Sequence, residues 1–458
     1  MNARTIPAGG GSSMKLLILL LLPALSCSRG RPRTDPAADF PLPVASKSAV
    51  TAVDEPAGAL DLPTALALTL QHHPQLQGAG DLERLRIARE RAAVVSPNPA
   101  VELTAEDFLG SGPFRGVGGS QWTLQVSQVL ELGGKPQARA RLAGTQSALE
   151  AVQFALTRLT VLSRVTLEFA RLVHLQQRCI DQAQVLNNAV GLEAAIEARI
   201  AGGKDSPIQL RQYRIGLSLL RLDQQDLERR RQAARVRLSS NWGNDRPRFS
   251  EALGRFTPPE SLPSAERLRT LVRRHPEVRL RQAQIAALRA QRLLEGRQAV
   301  PDIALTLGVR MITEDRNAAV VGGVSVALPI WDRRDEARDV LDAQIRTHER
   351  EVAAKVFLLE QQVTAALAEY DRRRAELDTL EKSVLPEIEA NIRLFTEGFT
   401  LGKFTLPEML DSQKALFDVR GRILDGRLAL QTVTIELEFL TGLRLGEGPP
   451  PEAGSDVP

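Results

Sequence analysis

The feature that most constrains the fold is a tandem duplication of nearly 200 residues. The pair His73-Pro74 recurs 202 residues later as His275-Pro276, and farther along the chain Gly203 recurs 199 residues later as Gly402. Repetition over such a length indicates a duplicated architecture rather than a chance resemblance. The 458 residues are therefore expected to form one pseudo-symmetric body rather than two or three unrelated domains.

Both copies show the same order of elements, with short helices, two strands, a long helix, a tip and a return helix. The first repeat spans residues 62–243, a linker spans 244–261, and the second repeat spans 262–443. The predicted elements are strands at about 100–108 and 120–130, a long helix at 136–201 and a return helix at 205–242, then strands at about 302–312 and 319–330, a long helix at 335–398 and a return helix at 405–441.

The strands are predicted from alternation. Val101, Leu103 and Ala105 alternate with polar residues, which is typical of a strand with one apolar and one polar face. Each copy is therefore expected to form one hairpin. At a spacing of 199 residues, the apolar phases of the two return strands differ by one residue, which predicts a bulge or a misplaced gap near Val126 to Gln128.

The long helices are predicted from apolar residues that recur every seven positions, such as Leu142, Leu149 and Leu156 in the first copy. This spacing favours coiled-coil packing with a left-handed supercoil. About 65 residues at 1.5 Å each give a helix of roughly 100 Å. In the second copy, Pro386 lies within the long helix and is expected to kink it.

The N-terminus has the pattern of a secretory signal peptide, predicted for residues 1–27. Met14 is an alternative start, and Lys15 is followed by a short apolar run and small residues. Leu25-Ser26-Cys27 resembles a bacterial lipobox, which predicts a lipid on Cys27; ordinary cleavage nearby is the alternative. Residues 28–61 are expected to be a Pro/Ala-rich tether and residues 444–458 a disordered tail.

The four predicted strands are too few to close a barrel, and open strand edges in a bilayer would leave backbone groups unpaired. Several protomers are therefore expected to share one barrel. Strands of about ten residues with one apolar and one polar face suit an outer membrane around a water-filled lumen.

The duplicated order of elements, the tips and two strand-to-helix junctions resemble the bacterial outer-membrane efflux (TolC-like) family. The junctions are Ser127-Gln-Val-Leu-Glu-Leu-Gly-Gly-Lys135 and Val326-Ala-Leu-Pro-Ile-Trp-Asp332. The resemblance covers residues 62–443 and implies a mainly helical protomer with β-hairpins. It also implies a homotrimer with a 12-stranded outer-membrane β-barrel and a 12-helix periplasmic α-barrel. The Glu-Leu-Gly-Gly-Lys segment is most similar to the heavy-metal cation efflux (CzcC-like) branch.

The resemblance also implies partners and sites. The partners are outer-membrane lipid, a periplasmic adaptor and an inner-membrane pump of the resistance-nodulation-division (RND) type. The residues implied to dock the adaptor at the tips are Gly202, Gly203, Lys204, Asp205, Gly402, Lys403 and Phe404. Glu408 and Asp411 are implied to line the tunnel constriction, whereas the first copy has Gln209 and Gln212 at these positions. The alternative for the two carboxylates is ordinary helix-start chemistry.

Other function classes receive no support from the sequence. The net charge is +4, from 59 basic and 55 acidic residues, and no basic block suggests a nucleic-acid partner. The five histidines lack metal-ligand spacing, and Cys179 is expected to be a packing residue. No enzyme motif, metal site or cofactor is therefore predicted. Two alternatives stay open, a soluble coiled-coil scaffold and a TolC-like duct for drugs or organic solutes.

Overall fold

The structure is a computed structural model that describes residues 54–202, 206–254, 259, 262–400, 406–443 and 445, all within one compact unit. In chain order its elements are β1 (Ala59–Asp61), α1 (Leu62–His72), α2 (Ala79–Ala93), β2 (Ala100–Glu106), β3 (Gln121–Leu130), α3 (Lys135–Ala201), α4 (Pro207–Ser239), β4 (Glu251–Leu253), α5 (Ala265–Val272), α6 (Pro276–Gln298), β5 (Ile303–Ile312), β6 (Asn317–Val326), α7 (Asp335–Thr379), α8 (Leu385–Thr400) and α9 (Leu406–Thr441). Short 3-10 turns follow at Gly112–Phe114 and Ser240–Trp242, and a π-turn spans Leu380–Val384.

The expected mainly helical fold with two hairpins is confirmed. Helix α3 alone has 67 residues, which at 1.5 Å each make about 100 Å. It begins at Lys135-Pro136, where a proline in the first turn costs no hydrogen bond. The return helix α4 begins at Pro207, after Ser206, whose hydroxyl accepts a hydrogen bond from the backbone N–H of Ile208.

The helix of the second copy is interrupted where Pro386 was expected to kink it. Helix α7 ends at Thr379, the π-turn follows, and α8 begins one residue before Pro386. Proline has no N–H to donate, and its ring clashes with the carbonyl four residues earlier. The wider π-turn, in which the N–H of Leu385 donates to the carbonyl of Leu380, lies over that region.

The two hairpins join into one four-stranded antiparallel sheet in the order β2-β3-β5-β6. Val101 pairs with Val126 in the first hairpin; in the second, Ile303 pairs with Val326. These partners are 202 and 200 residues apart, so the spacing between the copies changes within the hairpin. Pairing is one-to-one along all of β3. The bulge expected near Val126 to Gln128 is therefore wrong; the spacing of 199 residues begins only after the sheet.

Two apolar clusters hold the helices together. In the first copy, Phe169 of α3 packs with Leu68 of α1 and with Phe249, and all three are buried. In the second copy, Leu268 of α5 packs with Leu359 of α7 and its neighbours on α9. Strands β1 and β4, which come from the predicted tether and the predicted linker, pair in parallel beside the first cluster.

The end of the predicted tether is fixed to the first copy through Glu55. Its carboxylate accepts hydrogen bonds from the indole N–H of Trp242 at 3.2 Å and from the backbone N–H of Arg248 at 2.7 Å. Leu60 of β1 is fully buried. Residues 54–61 are thus part of the folded body, and they hold the chain beside the end of the return helix α4.

Candidate functional site

One face of the four-stranded sheet is apolar across all four strands. The pairing registers align Leu103, Leu124, Val309 and Val320 in one row across the sheet. All four side chains are exposed, and Val320 reaches 77%. The other large apolar side chains exposed on this face are Val101, Trp122, Val126, Leu130, Leu305, Leu307, Met311, Val324 and Val326. An apolar patch of this extent marks an interaction surface.

The dimensions of this face match a bilayer. Ten-residue strands such as β5 span about 33 Å, and at the tilt of about 40° common in outer-membrane strands they rise about 25 Å. That rise equals the height of the apolar band on such proteins. Exposed aromatic side chains lie beyond both ends, with Phe108 and Phe114 in the loop after β2 and Trp331 beyond β6. Aromatic residues favour the two membrane interfaces.

The opposite face of the sheet is polar and is tied together by Arg310 of β5. Its guanidinium donates to Thr123 Oγ1 at 3.0 Å, to Gln121 Oε1 at 3.4 Å and to Glu106 Oε2 at 3.3 Å. One side chain thereby connects β5 with both β3 and β2 across the two copies. Arg310 was not singled out in the sequence, although its place in the polar phase of β5 was a signal.

A buried ion pair joins the sheet to α3. Lys135 Nζ lies 2.7 Å from Asp302 Oδ2, and Asp302 Oδ1 accepts the backbone N–H of Leu132 at 3.0 Å. Gly133 and Gly134 have φ of 70° and 72°, which only glycine adopts without strain. A Cβ on Gly133 would also lie 2.7 Å from Val300 Cβ. The junction motif therefore requires both glycines, and the pair with Asp302 was missed in the sequence.

A second ion pair supports the same junction. The guanidinium of Arg139 donates to both carboxylate oxygens of Glu131, at 2.5 and 2.8 Å, and lowers the pKa of that carboxyl below its ordinary value. Arg139 also donates to the backbone carbonyl of Ala93 at the end of α2. Glu131 and Arg139 thus link the end of β3, the start of α3 and α2 into one support.

The tips of the helices fall at the margin of the described residues. Gly202 follows α3, and its N–H donates to the carbonyl of Ala198 at 3.1 Å. The other predicted docking residues lie outside the described residues: Gly203, Lys204, Asp205, Gly402, Lys403 and Phe404. Cys27, the predicted lipidation site, also lies outside them.

The two carboxylates predicted at the constriction lie in the first two turns of α9. Glu408 and Asp411 are both exposed, and their spacing of three residues places them on one side of the helix. Gln209 and Gln212 take the corresponding places at the start of α4. The structure thus places one charged and one uncharged helix start after the two tips of the chain.

Comparison with known proteins identifies the family. The family profile described as "Outer membrane efflux protein" matches residues 268–443. The cobalt-zinc-cadmium resistance protein CzcC of Cupriavidus metallidurans is 30% identical over 372 residues, which cover 81% of this chain and 87% of CzcC. The chain belongs to the outer membrane efflux protein family.

Two further relatives agree with this assignment. The nickel and cobalt resistance protein CnrC of the same organism is 25% identical over 358 residues, covering 78% of this chain and 79% of CnrC. The crystal structure of the outer membrane protein VceC from Vibrio cholerae has a TM-score of 0.64 at 17% identity, covering 84% of this chain and 96% of VceC. The expected TolC-like fold, the family and the outer-membrane localisation are confirmed, which removes the soluble scaffold as an alternative.

The remaining titratable groups of this efflux protein have structural roles. His73 and His275 were expected to be residues at helix breaks, and their Nδ1 atoms accept the backbone N–H of Gln75 and of Glu277, each at 3.2 Å. Burial raises the pKa of the Cys179 thiol, which disfavours the reactive thiolate. Within the described ranges, no group of three His, Cys, Asp or Glu side chains could hold a metal ion. No helix in those ranges is long and apolar enough to cross a membrane.

Proposed function

We propose that this outer-membrane efflux protein is the exit duct for heavy-metal cations in a tripartite pump. The observation that carries the proposal is the two-faced sheet, on a chain 30% identical to a cobalt-zinc-cadmium resistance protein over 81% of its length. A second relative confers resistance to nickel and cobalt. The proposal assigns passive transport to the chain and no catalysis.

The duct requires more than one copy. Within the described residues, β2 and β6 are the outer strands of the sheet, and each pairs on one side only. Unpaired strand edges are costly in a bilayer, so the edge of β6 pairs with β2 of the next copy. Three copies give twelve strands around a lumen lined by the polar face of Arg310. The helices of the three copies form the periplasmic tunnel.

The tips at the far end of the helices meet the partners. Helix α3 alone carries the chain about 100 Å from the junction at Lys135 to Gly202. A periplasmic adaptor and an RND-type inner-membrane pump dock at 202–205 and 402–404. Cys27 adds a lipid anchor to the attachment that the apolar face of the sheet provides.

The constriction is charged by one copy of the duplication. In a trimer, Glu408 and Asp411 provide six exposed carboxylates near the tip, whereas Gln209 and Gln212 are neutral. Rings of carboxylates attract cations and repel anions. A duct whose entrance selects for cations fits metal-ion cargo better than organic solutes of mixed charge.

Metal tolerance tests the cargo. Cells that lack this subunit but keep the adaptor and the pump should regain tolerance to zinc, cobalt and cadmium, with lower intracellular metal, when the gene is returned. Ethidium accumulation is measured in parallel. Restored ethidium export without restored metal tolerance would assign the duct to organic solutes instead.

Single-channel recording tests the constriction. The double variant Glu408→Gln, Asp411→Asn should show weaker cation preference than the wild type in planar bilayers. Asp418→Asn is the matched control, since Asp418 is an exposed carboxylate farther along the same helix. Equal selectivity of the double variant and the wild type would leave the two residues as ordinary helix-start carboxylates.

A further inference from the structure

An unpaired basic surface lies on the second copy only. It consists of Arg267, Arg273, Arg274 and Arg279, on α5, the turn after it and the start of α6, and is called the arginine face below. All four side chains are exposed. The described ion pairs of this region involve other residues, such as Lys355 with Glu277. Against the four arginines stands a single exposed carboxylate without a described ion pair, Glu266.

The duplication shows that the fold does not need these arginines. The corresponding residues 202 positions earlier are Ala65, Gln71, His72 and Gln77. Residues 62–80 contain no Asp, Glu, Lys or Arg, yet they form α1 in the same place in the repeat. The helices also pack alike, because Leu68 of α1 and Leu268 of α5 are both buried. The positive charge is therefore an addition to the second copy and has a role other than folding.

The position of the arginine face excludes lipid headgroups as its ligand. Arg269 of α5 donates to Thr364 Oγ1 of α7 at 3.2 Å, and Thr364 lies 29 residues after the first residue of α7. At 1.5 Å per residue, that point is about 44 Å along the helix from the junction with the sheet. Charge attraction is screened over about 8 Å at physiological ionic strength. Anionic lipids at the level of the sheet are therefore too distant.

The composition of the arginine face argues against a conventional protein interface. Among the described residues between 262 and 302, no large apolar side chain is exposed. Protein interfaces generally have buried aromatic or aliphatic anchors at their centre, and this face offers none. Guanidinium groups bind carboxylates through paired hydrogen bonds, which suits a flexible polymer that carries many carboxylates.

We propose that the arginine face binds the carboxylate-bearing peptides of the cell-wall polymer where the duct passes through it. This inference relies on the proposed function only for placing the helices in the periplasm. In the trimer, the face occurs three times around the duct. Three weak, salt-sensitive contacts would hold the duct in the wall without closing a specific interface.

Co-sedimentation with purified peptidoglycan sacculi tests the proposal. The full-length protein in detergent should sediment with sacculi at 50 mM NaCl and be released at 300 mM. Replacing Arg267, Arg273, Arg274 and Arg279 with Gln should weaken binding at least about tenfold, since four exposed contacts are lost. The charge-matched control replaces four exposed arginines elsewhere that have no described ion pair: Arg229, Arg237, Arg346 and Arg350. This control should bind like the wild type.

The outcomes separate this inference from the proposed duct. Sacculi with amidated carboxylates should no longer bind the wild type; undiminished binding would overturn the role of carboxylates. Equal losses in the two quadruple variants would show attraction by net charge alone and overturn the assignment to this face. Native mass spectrometry should find both variants trimeric, and a monomeric arginine-face variant would mark the face as a subunit contact. Because the assay does not measure transport, failed metal export leaves its result intact.

Discussion

A single arginine placed on either face of β5 tests which face meets lipid. Leu307 lies in the middle of this ten-residue strand, paired with Val126 on one side and Gly322 on the other, and its side chain is 55% exposed. Thr306 is its neighbour and points to the opposite, polar face. Leu307→Arg and Thr306→Arg therefore differ by one position along the strand and introduce the same side chain.

The two changes should differ greatly in energy. Arginine on the lipid face near the middle of the bilayer costs about 2–4 kcal/mol, so three copies in a trimer cost about 6–12 kcal/mol. The whole folding free energy of a protein is typically about 5–15 kcal/mol. Leu307→Arg should therefore prevent assembly. Thr306→Arg places its charge in the aqueous lumen, opposite Gly323, which has no side chain to clash with it.

The measurement is the amount of heat-modifiable trimer in purified outer membranes, relative to total protein in the cell. Leu307→Arg should reduce it more than tenfold, while Thr306→Arg should leave it within about twofold and lower the single-channel conductance. Equal insertion of the two variants would refute the assignment of the faces. Loss of Thr306→Arg alone would show that the faces are reversed.

Three further predictions concern the anchor, the tips and the response to pH. Cys27→Ala should abolish labelling with a radioactive fatty acid while the sheet still inserts; persistent labelling would exclude Cys27 as the acylated residue. Gly203→Val combined with Gly402→Val should reduce metal export at unchanged outer-membrane abundance, because branched side chains restrict the backbone of a tight turn; normal export would count against docking there. Burial lowers the pKa of His174, despite Asp425 3.2 Å away, so acidification from pH 7.5 to 5.5 protonates the unfolded chain near pH 6.5 before the folded one. The apparent Tm in detergent should fall over this range, and fall less for His174→Gln; parallel curves would refute the assignment.

Patterns that depend on near neighbours in the chain predicted the long helices and the hairpins. Heptads such as Leu142, Leu149 and Leu156 and the alternation around Leu103 each repeat within one element. The relation between the two hairpins is not encoded in this way. Pairing of β3 with β5 joins residues such as Leu124 and Val309, far apart in the chain, and no local pattern specifies that contact.

The supports of the sheet escaped prediction for the same reason. Lys135 and Asp302 belong to different copies, and each is an ordinary charged residue when viewed alone. Arg310 likewise gains its role only when β2, β3 and β5 are adjacent. The error of the expected bulge near Val126 has a related cause, since a gap between two aligned copies was assigned to a strand although it lies in the connections.

Duplication followed by divergence of charge has a consequence for how partners bind the duct. The two copies have similar backbones, so a trimer offers a partner six nearly equivalent helical hairpins. Charge divides them, because Glu408 and Asp411 at the tip and Arg267 and Arg273 on the arginine face occur in the second copy only. A partner that recognises backbone shape therefore finds six sites, whereas one that recognises charge finds three. The second copy thus carries the charged contacts at both levels of the helices, and the first copy completes the wall between them.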